Sequence, residues 1–254
     1  MKAIILASGS SGNSTLIEHK GRFILLEAGI TLKELVGCFK KYGTPEALFI
    51  THEHSDHVKS SGAVGRKFKI PVYLLSGCYE QKQKIFNNVK VQFIDPGIKE
   101  SVKLFDDELE ISSFSTQHDC RGGSVGFIIT DLVANKKLCY LTDTGSFTRL
   151  MYERTKDCDA YILESDYDEE LLEKTAEYDE LLKQRIKSDF GHLSNAQVID
   201  FCSRLDLNKI QFIALVHLSR VTNNHTKVKE MFDKAFPTYQ NIFIEPLGQE
   251  LKIY

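Results

Sequence analysis

The sequence predicts a mixed α+β fold, and three observations carry that prediction. Short apolar runs bounded by turn residues recur along most of the chain. Capping-box pairs open helices between them, at Thr31 with Glu34 and at Ser194 with Gln197. Ligand-type side chains follow the apolar runs directly, most densely in Thr51-His52-Glu53-His54-Ser55-Asp56-His57-Val58.

Taken in order, Ala3 to Leu6, Thr15 to Ile17 and Phe23 to Leu26 read as a β-meander, broken by the turn Ser8-Gly9-Ser10-Ser11-Gly12-Asn13-Ser14 and by Lys20-Gly21-Arg22. The Gly/Ser-rich turn lacks the Gly-Lys-Ser/Thr ending of a phosphate loop and joins strands, so it reads as a tight turn bordering a site. A helix runs from Thr31 to about Tyr42 and stops at Gly43. The buried strand Ala47-Leu48-Phe49-Ile50 leads into the histidine cluster, and a short helix with a basic end covers Ser60 to Phe68. Strands are then expected at Pro71 to Leu75, Val89 to Ile94, Val102 to Leu104, Leu109 to Thr116, Val125 to Thr130 and Lys137 to Thr142, with one helix near Tyr79 to Phe86. Tyr161-Ile162-Leu163 reads as a buried strand. The charge-rich stretch from about Glu169 to Lys187 has its acids first and bases last, which predicts a solvated surface helix. A capped helix after Ser194, the strand Phe212 to Val216, a helix from Asn224 or Thr226 to about Phe236, and strands at Ile242 to Ile244 and Glu250 to Ile253 complete the reading.

The histidine cluster is the centre of the chemistry. Three of the eight histidines lie within six residues, interleaved with acids. In extended chain beyond a strand, His52 and His54 point to the same side, and a helix starting near Ser55 swings Asp56 and His57 to a neighbouring point. Zinc accepts imidazole nitrogen and carboxylate oxygen together, and manganese accepts the same set with more oxygen. His118, Asp143 and His217 each follow a predicted strand, where a rigid scaffold exposes functional groups. His192 stands just ahead of a capped helix, beside free backbone N–H groups that suit a phosphate; on these residues alone it reads equally as a histidine packed at a helix entrance.

Composition narrows the setting. The chain of 254 residues can bury a large core, and no seam divides it, so residues 1–254 are expected to form one domain. Hydrophobic residues make up 42% and charged ones 26%, as in an ordinary soluble globular protein. A formal net charge of -3 gives no general attraction to nucleic acid or anionic membrane, although local patches can supply it. The apolar start is too short for a signal peptide, and no run spans a bilayer. Six scattered cysteines without Cys-x-x-Cys spacing point to reduced thiols and the cytoplasm.

Together, His52, His54, Asp56, His57, His118, Asp143 and His217 resemble the ligand set of the metallo-β-lactamase-fold hydrolase superfamily. With Gly9-Ser10-Ser11-Gly12-Asn13-Ser14, Glu164-Ser165, Gly191-His192-Leu193-Ser194-Asn195 and His217-Leu218-Ser219, the chain is similar to the YycJ/WalJ-like subgroup over nearly its whole length. The resemblance implies a four-layered αβ/βα sandwich, two facing mixed β-sheets flanked by helices, with a metal site at one edge. It implies two divalent metal ions, zinc or manganese, one on His52, His54 and His118, the other on Asp56, His57 and His217, with Asp143 bridging. The activity implied is a metal-dependent phosphodiesterase, a DNA exonuclease that uses a bridging hydroxide. Asp56 would steer that hydroxide, and His192 would contact the scissile phosphate. Two departures stand out: Glu27-Ala28-Gly29 replaces the usual Asp-x-Gly, and Tyr167 stands where the subgroup has histidine.

Two other readings use the same residues. One is a hydrolase of a small molecule, a cyclic phosphodiester, thioester or lactam, since one scaffold carries many chemistries. The other is a metal-binding regulatory or interaction protein with vestigial hydrolysis, suggested by Glu27, Tyr167 and the acidic balance. Lys59, Arg66, Lys67, Lys69, Lys183, Arg185, Lys187 and Arg220 are the basic residues close in sequence to the site. Contact between these and DNA would make activity salt-sensitive.

Overall fold

Lys20 and Gly21 both carry positive φ, 51° and 81°, the backbone of a two-residue hairpin turn. That turn pairs β2 (Ser14–His19) with β3 (Arg22–Leu26) antiparallel, His19 opposite Arg22. The chain then leaves the sheet through α1 (Leu32–Tyr42), whose N-cap Thr31 and Glu34 form the expected capping box. It returns as β4 (Pro45–Phe49), parallel to β3. A computed structural model describes residues 1–97 and 101–254.

The first sheet has the order β14-β1-β2-β3-β4-β5-β6, with β1 at Lys2–Ala7, β5 at Val72–Leu74, β6 at Val91–Phe93 and β14 at Glu250–Lys252. The second runs β13-β12-β11-β10-β9-β8-β7, from β7 (Ser101–Leu104), β8 (Leu109–Ser115), β9 (Val125–Asp131) and β10 (Lys136–Leu141) to β11 (Ala160–Glu164), β12 (Phe212–Val216) and β13 (Ile242–Ile244). In each sheet one side is antiparallel and the other parallel, the change falling at β3 in the first and at β10 in the second. At those two strand ends stand acids with positive φ, Glu27 at 63° and Asp143 at 56°. A left-handed backbone is uncommon for such residues and marks both positions as held by their surroundings.

Three apolar layers separate four layers of structure. Between the sheets lie Ile5, Ile17, Leu26 and Phe49 from the first, facing Ile111, Phe127, Tyr140 and Ile162 from the second. On the outer face of the first sheet, Leu16, Leu25 and Leu48 pack against α1, α3 (Ser61–Phe68) and α4 (Ser76–Lys82) through Leu35, Val64 and Cys78. On the outer face of the second, Tyr161, Leu163 and Ile213 meet α5 (Arg149–Thr155), α8 (Asn195–Ser203) and α9 (His225–Ala235) through Met151, Phe201 and Phe232. This is the four-layered sandwich with two mixed sheets that the resemblance implied.

Two features depart from the sequence reading. Helix α5 was not anticipated; its N-cap Thr148 accepts from Met151 N. The stretch Glu169 to Lys187 is two helices rather than one, α6 (Glu169–Lys174) and α7 (Glu180–Lys187), because it contains two N-caps: Asp168 accepts from Leu171 N, and Asp179 from Leu182 N. Nor is α7 simply a solvated surface helix. Lys183 is buried, its ammonium donating to Glu173 O at 2.9 Å, and the helix is drawn down onto the end of the sandwich.

Candidate metal centre

All but one of the segments that build the candidate site leave a strand end. After β4, Thr51 to His57 runs directly into the one-turn helix α2 (Ser55–Val58), so the loop carrying His52 and His54 and the helix carrying Asp56 and His57 are nearly contiguous. His118 follows β8, Asp143 follows β10, Glu164 ends β11 and His217 follows β12 with φ 57°. The structure thereby gathers His52, His54, Asp56, His57, His118, Asp143 and His217 at one edge of the two sheets. His192, from the loop before α8, joins them.

Donor atoms of His52, His54 and His118 all lie within 4.8 Å of one another, as do those of Asp56, His57 and His217. Asp143 falls in one such group with His52 and His57 and in another with Glu164, His192 and His217. Asp143 Oδ2 is 3.2 Å from His57 Nε2, and its Oδ1 is 3.6 Å from His217 Nε2 and 3.8 Å from His118 Nε2. It therefore stands between the two histidine groups. His52 Nε2, Asp143 Oδ2 and His217 Nε2 are buried without a hydrogen-bond partner. Unpaired buried polar atoms are costly, about 1–3 kcal/mol each. An imidazole and carboxylate set with inward atoms left unpaired fits a divalent cation of the zinc or manganese type.

A second ring of contacts aims these groups. His118 Nδ1 donates to Gly191 O at 3.0 Å, and His52 Nδ1 meets Thr51 Oγ1 at 2.9 Å. Glu27, wholly buried, accepts the Thr51 N–H at 3.0 Å and places its other oxygen 3.5 Å from His57 Nδ1. The longer acid thus still reaches the histidine loop from the position where aspartate is usual. Asn13, in the Gly/Ser-rich turn, accepts from Gly9 N at 2.9 Å and lies 3.0 Å from His57 Nε2 and 3.3 Å from Asp56 Oδ2. Ser8 Oγ accepts from His217 N at 2.6 Å. That turn borders the site, as its sequence suggested. Tyr167 is buried, bridged through its backbone to Ser194 and Asn195, and does not line the site cavity.

Charge follows from this crowding. Burial pushes Asp143 up, but His217 and His57 beside it hold it well below the ordinary carboxylate range. Burial pushes His57 down, yet Asp143 and Glu27 raise it well above its usual value. His52, buried among other histidines, is pushed well down. His192 is opposed by burial but raised to about 9 by Glu164, Asp166 and Asp143. The Glu164 carboxylate holds His192 Nδ1 directly and accepts Thr144 N–H with its other oxygen. Burial also raises Asp166, behind His192 and His217, to about 6.

Sequence reasoning missed the roof. Leu182, Arg185 and Ile186 of α7, with Phe190, close over His54, His118, Asp143, His192 and His217 and leave a cavity of ≈ 200 Å³. Arg185 pairs with Asp119 at 2.8 Å across its mouth. Of the other basic residues considered for DNA contact, Lys183 and Lys187 are paired with α6 and α7 acids, and Arg66 is spent on Ile85 O and Asn87 O. The partial leucine periodicity of 180–187 was the available signal, masked by its charges.

A sandwich of two mixed sheets with this cluster at one edge defines a class. The beta-lactamase superfamily domain profile matches residues 24–217, and the chain belongs to that superfamily. Among its relatives is a protein named exodeoxyribonuclease WalJ from Streptococcus pneumoniae, 34% identical over all of this chain and 93% of that one. Exodeoxyribonuclease YycJ from Bacillus anthracis is 30% identical over 89% of this chain and 85% of that one. Among solved structures, the metallo-beta-lactamase fold protein YhfI from Bacillus subtilis superposes with a TM-score of 0.74 at 17% identity, covering 98% of each chain. Among the described residues no helix is long and apolar enough to cross a membrane.

Proposed function

We propose that this chain is a metal-dependent phosphodiesterase that removes nucleotides from the ends of DNA, with residues 1–254 working as one domain in the cytoplasm. The observation that carries the reading is the clustering of seven ligand-type side chains at the edge of both sheets, five of which, His54, Asp56, His118, Asp143 and His217, line one cavity. End-to-end similarity to proteins named exodeoxyribonucleases supplies the substrate class. The six free thiols suit a reducing compartment.

His52, His54 and His118 would hold one divalent ion, and Asp56, His57 and His217 a second, with Asp143 between them; zinc and manganese both suit these donors. Such ions, when bound, activate water and neutralise charge developing on a phosphodiester. The protein's own groups do the rest. Asp56, anchored by Asn13 and 3.8 Å from His217 Nε2, is placed to orient the attacking water. Glu164 fixes the His192 ring at Nδ1, leaving Nε2 as the atom available to a phosphate oxygen or to the leaving alkoxide. An imidazolium held in that way can neutralise or protonate developing negative charge. Leu182, Ile186 and Phe190 give the cavity an apolar wall above these groups.

The test uses linear and covalently closed single-stranded DNA of the same sequence, with manganese or zinc added. Release of mononucleotides from the linear strand alone supports an end-dependent phosphodiesterase. Equal degradation of the closed circle contradicts it.

A further inference from the structure

We infer that the chamber bounded by Tyr178, Leu182, Ile186 and Leu218 binds the nucleobase of the terminal nucleotide, stacked against Tyr178. The inference rests on the nuclease reading above and goes beyond it by naming where the end of the strand sits.

The roof helix α7 divides the space above the site into rooms of unlike chemistry. On one side a chamber of ≈ 230 Å³ is walled by Tyr178, Leu182, Ile186 and Leu218, and it opens past His192 and His217. Leu182, Ile186, His192, His217 and Ser10 line this chamber and the metal-facing cavity alike, so the two are neighbours through shared walls. Among the described residues no lysine or arginine lines it, and its polar groups include Ser10, Ser219, Asp166 and the two histidines. On the other side a more open space of ≈ 330 Å³ carries Lys82, Arg121 and Arg185. Of the acids there, Glu53 accepts the backbone N–H of Arg121 and Gly122 through Oε1 at 2.6 and 3.0 Å, and Asp119 pairs with Arg185, which leaves Lys82 and Arg121 as the cations facing this space.

A DNA strand offers the same two chemistries. A base seeks an aromatic or apolar face, and a phosphate seeks cations. With the scissile phosphate at the centre, the chamber has room for one nucleoside, while the cationic side suits the continuing backbone. Helix α7 is fixed well enough to serve as the partition, by Lys183 on Glu173 O and by Arg185 on Asp119. Tyr178 lies in the turn just before Asp179, the N-cap of α7, is half-buried and lines the chamber. An aromatic with that exposure beside a strand end is a stacking platform. The chamber's size restricts occupancy to the last nucleoside, which gives a physical reason for cutting one nucleotide at a time.

The experiment compares single-stranded oligodeoxynucleotides ending in adenine or in an abasic site, at the end the metal-loaded full-length protein attacks. Base–aromatic stacking predicts that the native protein loses about 5- to 100-fold in kcat/KM on the abasic strand. Tyr178→Ala should lose a similar factor on the adenine strand and discriminate less than about two-fold between the two, since enzyme and substrate changes remove the same contact. Tyr178→Phe should keep the native ratio. A Tyr178→Ala protein that retains the native ratio, whatever its absolute rate, overturns the chamber, as does a native protein indifferent to the terminal base. If the native protein cleaves neither strand yet hydrolyses a small aryl phosphodiester, the nuclease reading itself falls, and the chamber with it.

Discussion

Replacing Glu27 by alanine separates two roles that the structure gives one buried carboxylate. Oε1 is the acceptor for Thr51 N–H, and Oε2 stands 3.5 Å from His57 Nδ1. Glu27→Ala strands a buried backbone donor and leaves a void, together about 2–4 kcal/mol of folding free energy. It also removes the carboxylate behind a proposed ligand, which in metal sites weakens affinity by about 10- to 100-fold. Glu27→Gln keeps an acceptor for Thr51 but removes the charge facing His57, so metal affinity should fall with a smaller loss of stability. Urea unfolding of the metal-free proteins reads the first effect, and competition with a chromogenic chelator reads the second. A Glu27→Ala protein with the native urea midpoint and native metal affinity would refute the argument that the longer acid does the aspartate's work.

Three further outcomes are expected. His192→Ala should retain its metals by elemental analysis and lose about 10²- to 10⁴-fold in kcat, the range for general acid–base groups; loss of metal instead would make His192 a ligand or a ligand's support. With about two phosphate contacts, from Lys82 and Arg121, binding to single-stranded DNA should weaken roughly 7-fold between about 50 and 200 mM salt; a salt-independent Kd would move the strand elsewhere. Stripping the metals should lower the Tm by about 5–10 °C for each ion lost in a chain of this size, if each ion binds 100-fold more tightly than its free concentration. An unchanged melting curve on chelation would show that the donors hold no ion.

Most of the fold was readable because its signals are local. Apolar runs such as Ala47 to Ile50 and Phe212 to Val216 become strands, and the Thr31–Glu34 and Ser194–Gln197 boxes start helices where expected. Most candidate ligands were legible for the same reason, since His52, His118, Asp143 and His217 each come shortly after a strand, whereas His192 follows α7. What escaped depends on contacts distant in sequence. The ring of His192 is set by Glu164, 28 residues away. Asn13 reaches His57 from 44 residues away. Helix α7 reads as solvated by its charges, yet Lys183 and Arg185 spend theirs pinning it, and Leu182 and Ile186 face the site. Helix α5 escaped because its cap pairs Thr148 with Met151, outside the usual Glu/Gln pattern.

The most direct measurement follows end-labelled single- and double-stranded DNA incubated with manganese or zinc, comparing the native protein with Asp143→Asn. Asp143 lies between both histidine groups, so its loss should abolish cleavage while far-ultraviolet circular dichroism stays native. A ladder shortening one nucleotide at a time with the native protein alone is the predicted result. Equal cleavage by Asp143→Asn, or no cleavage by a native protein carrying two metals, would contradict a metal-dependent exonuclease.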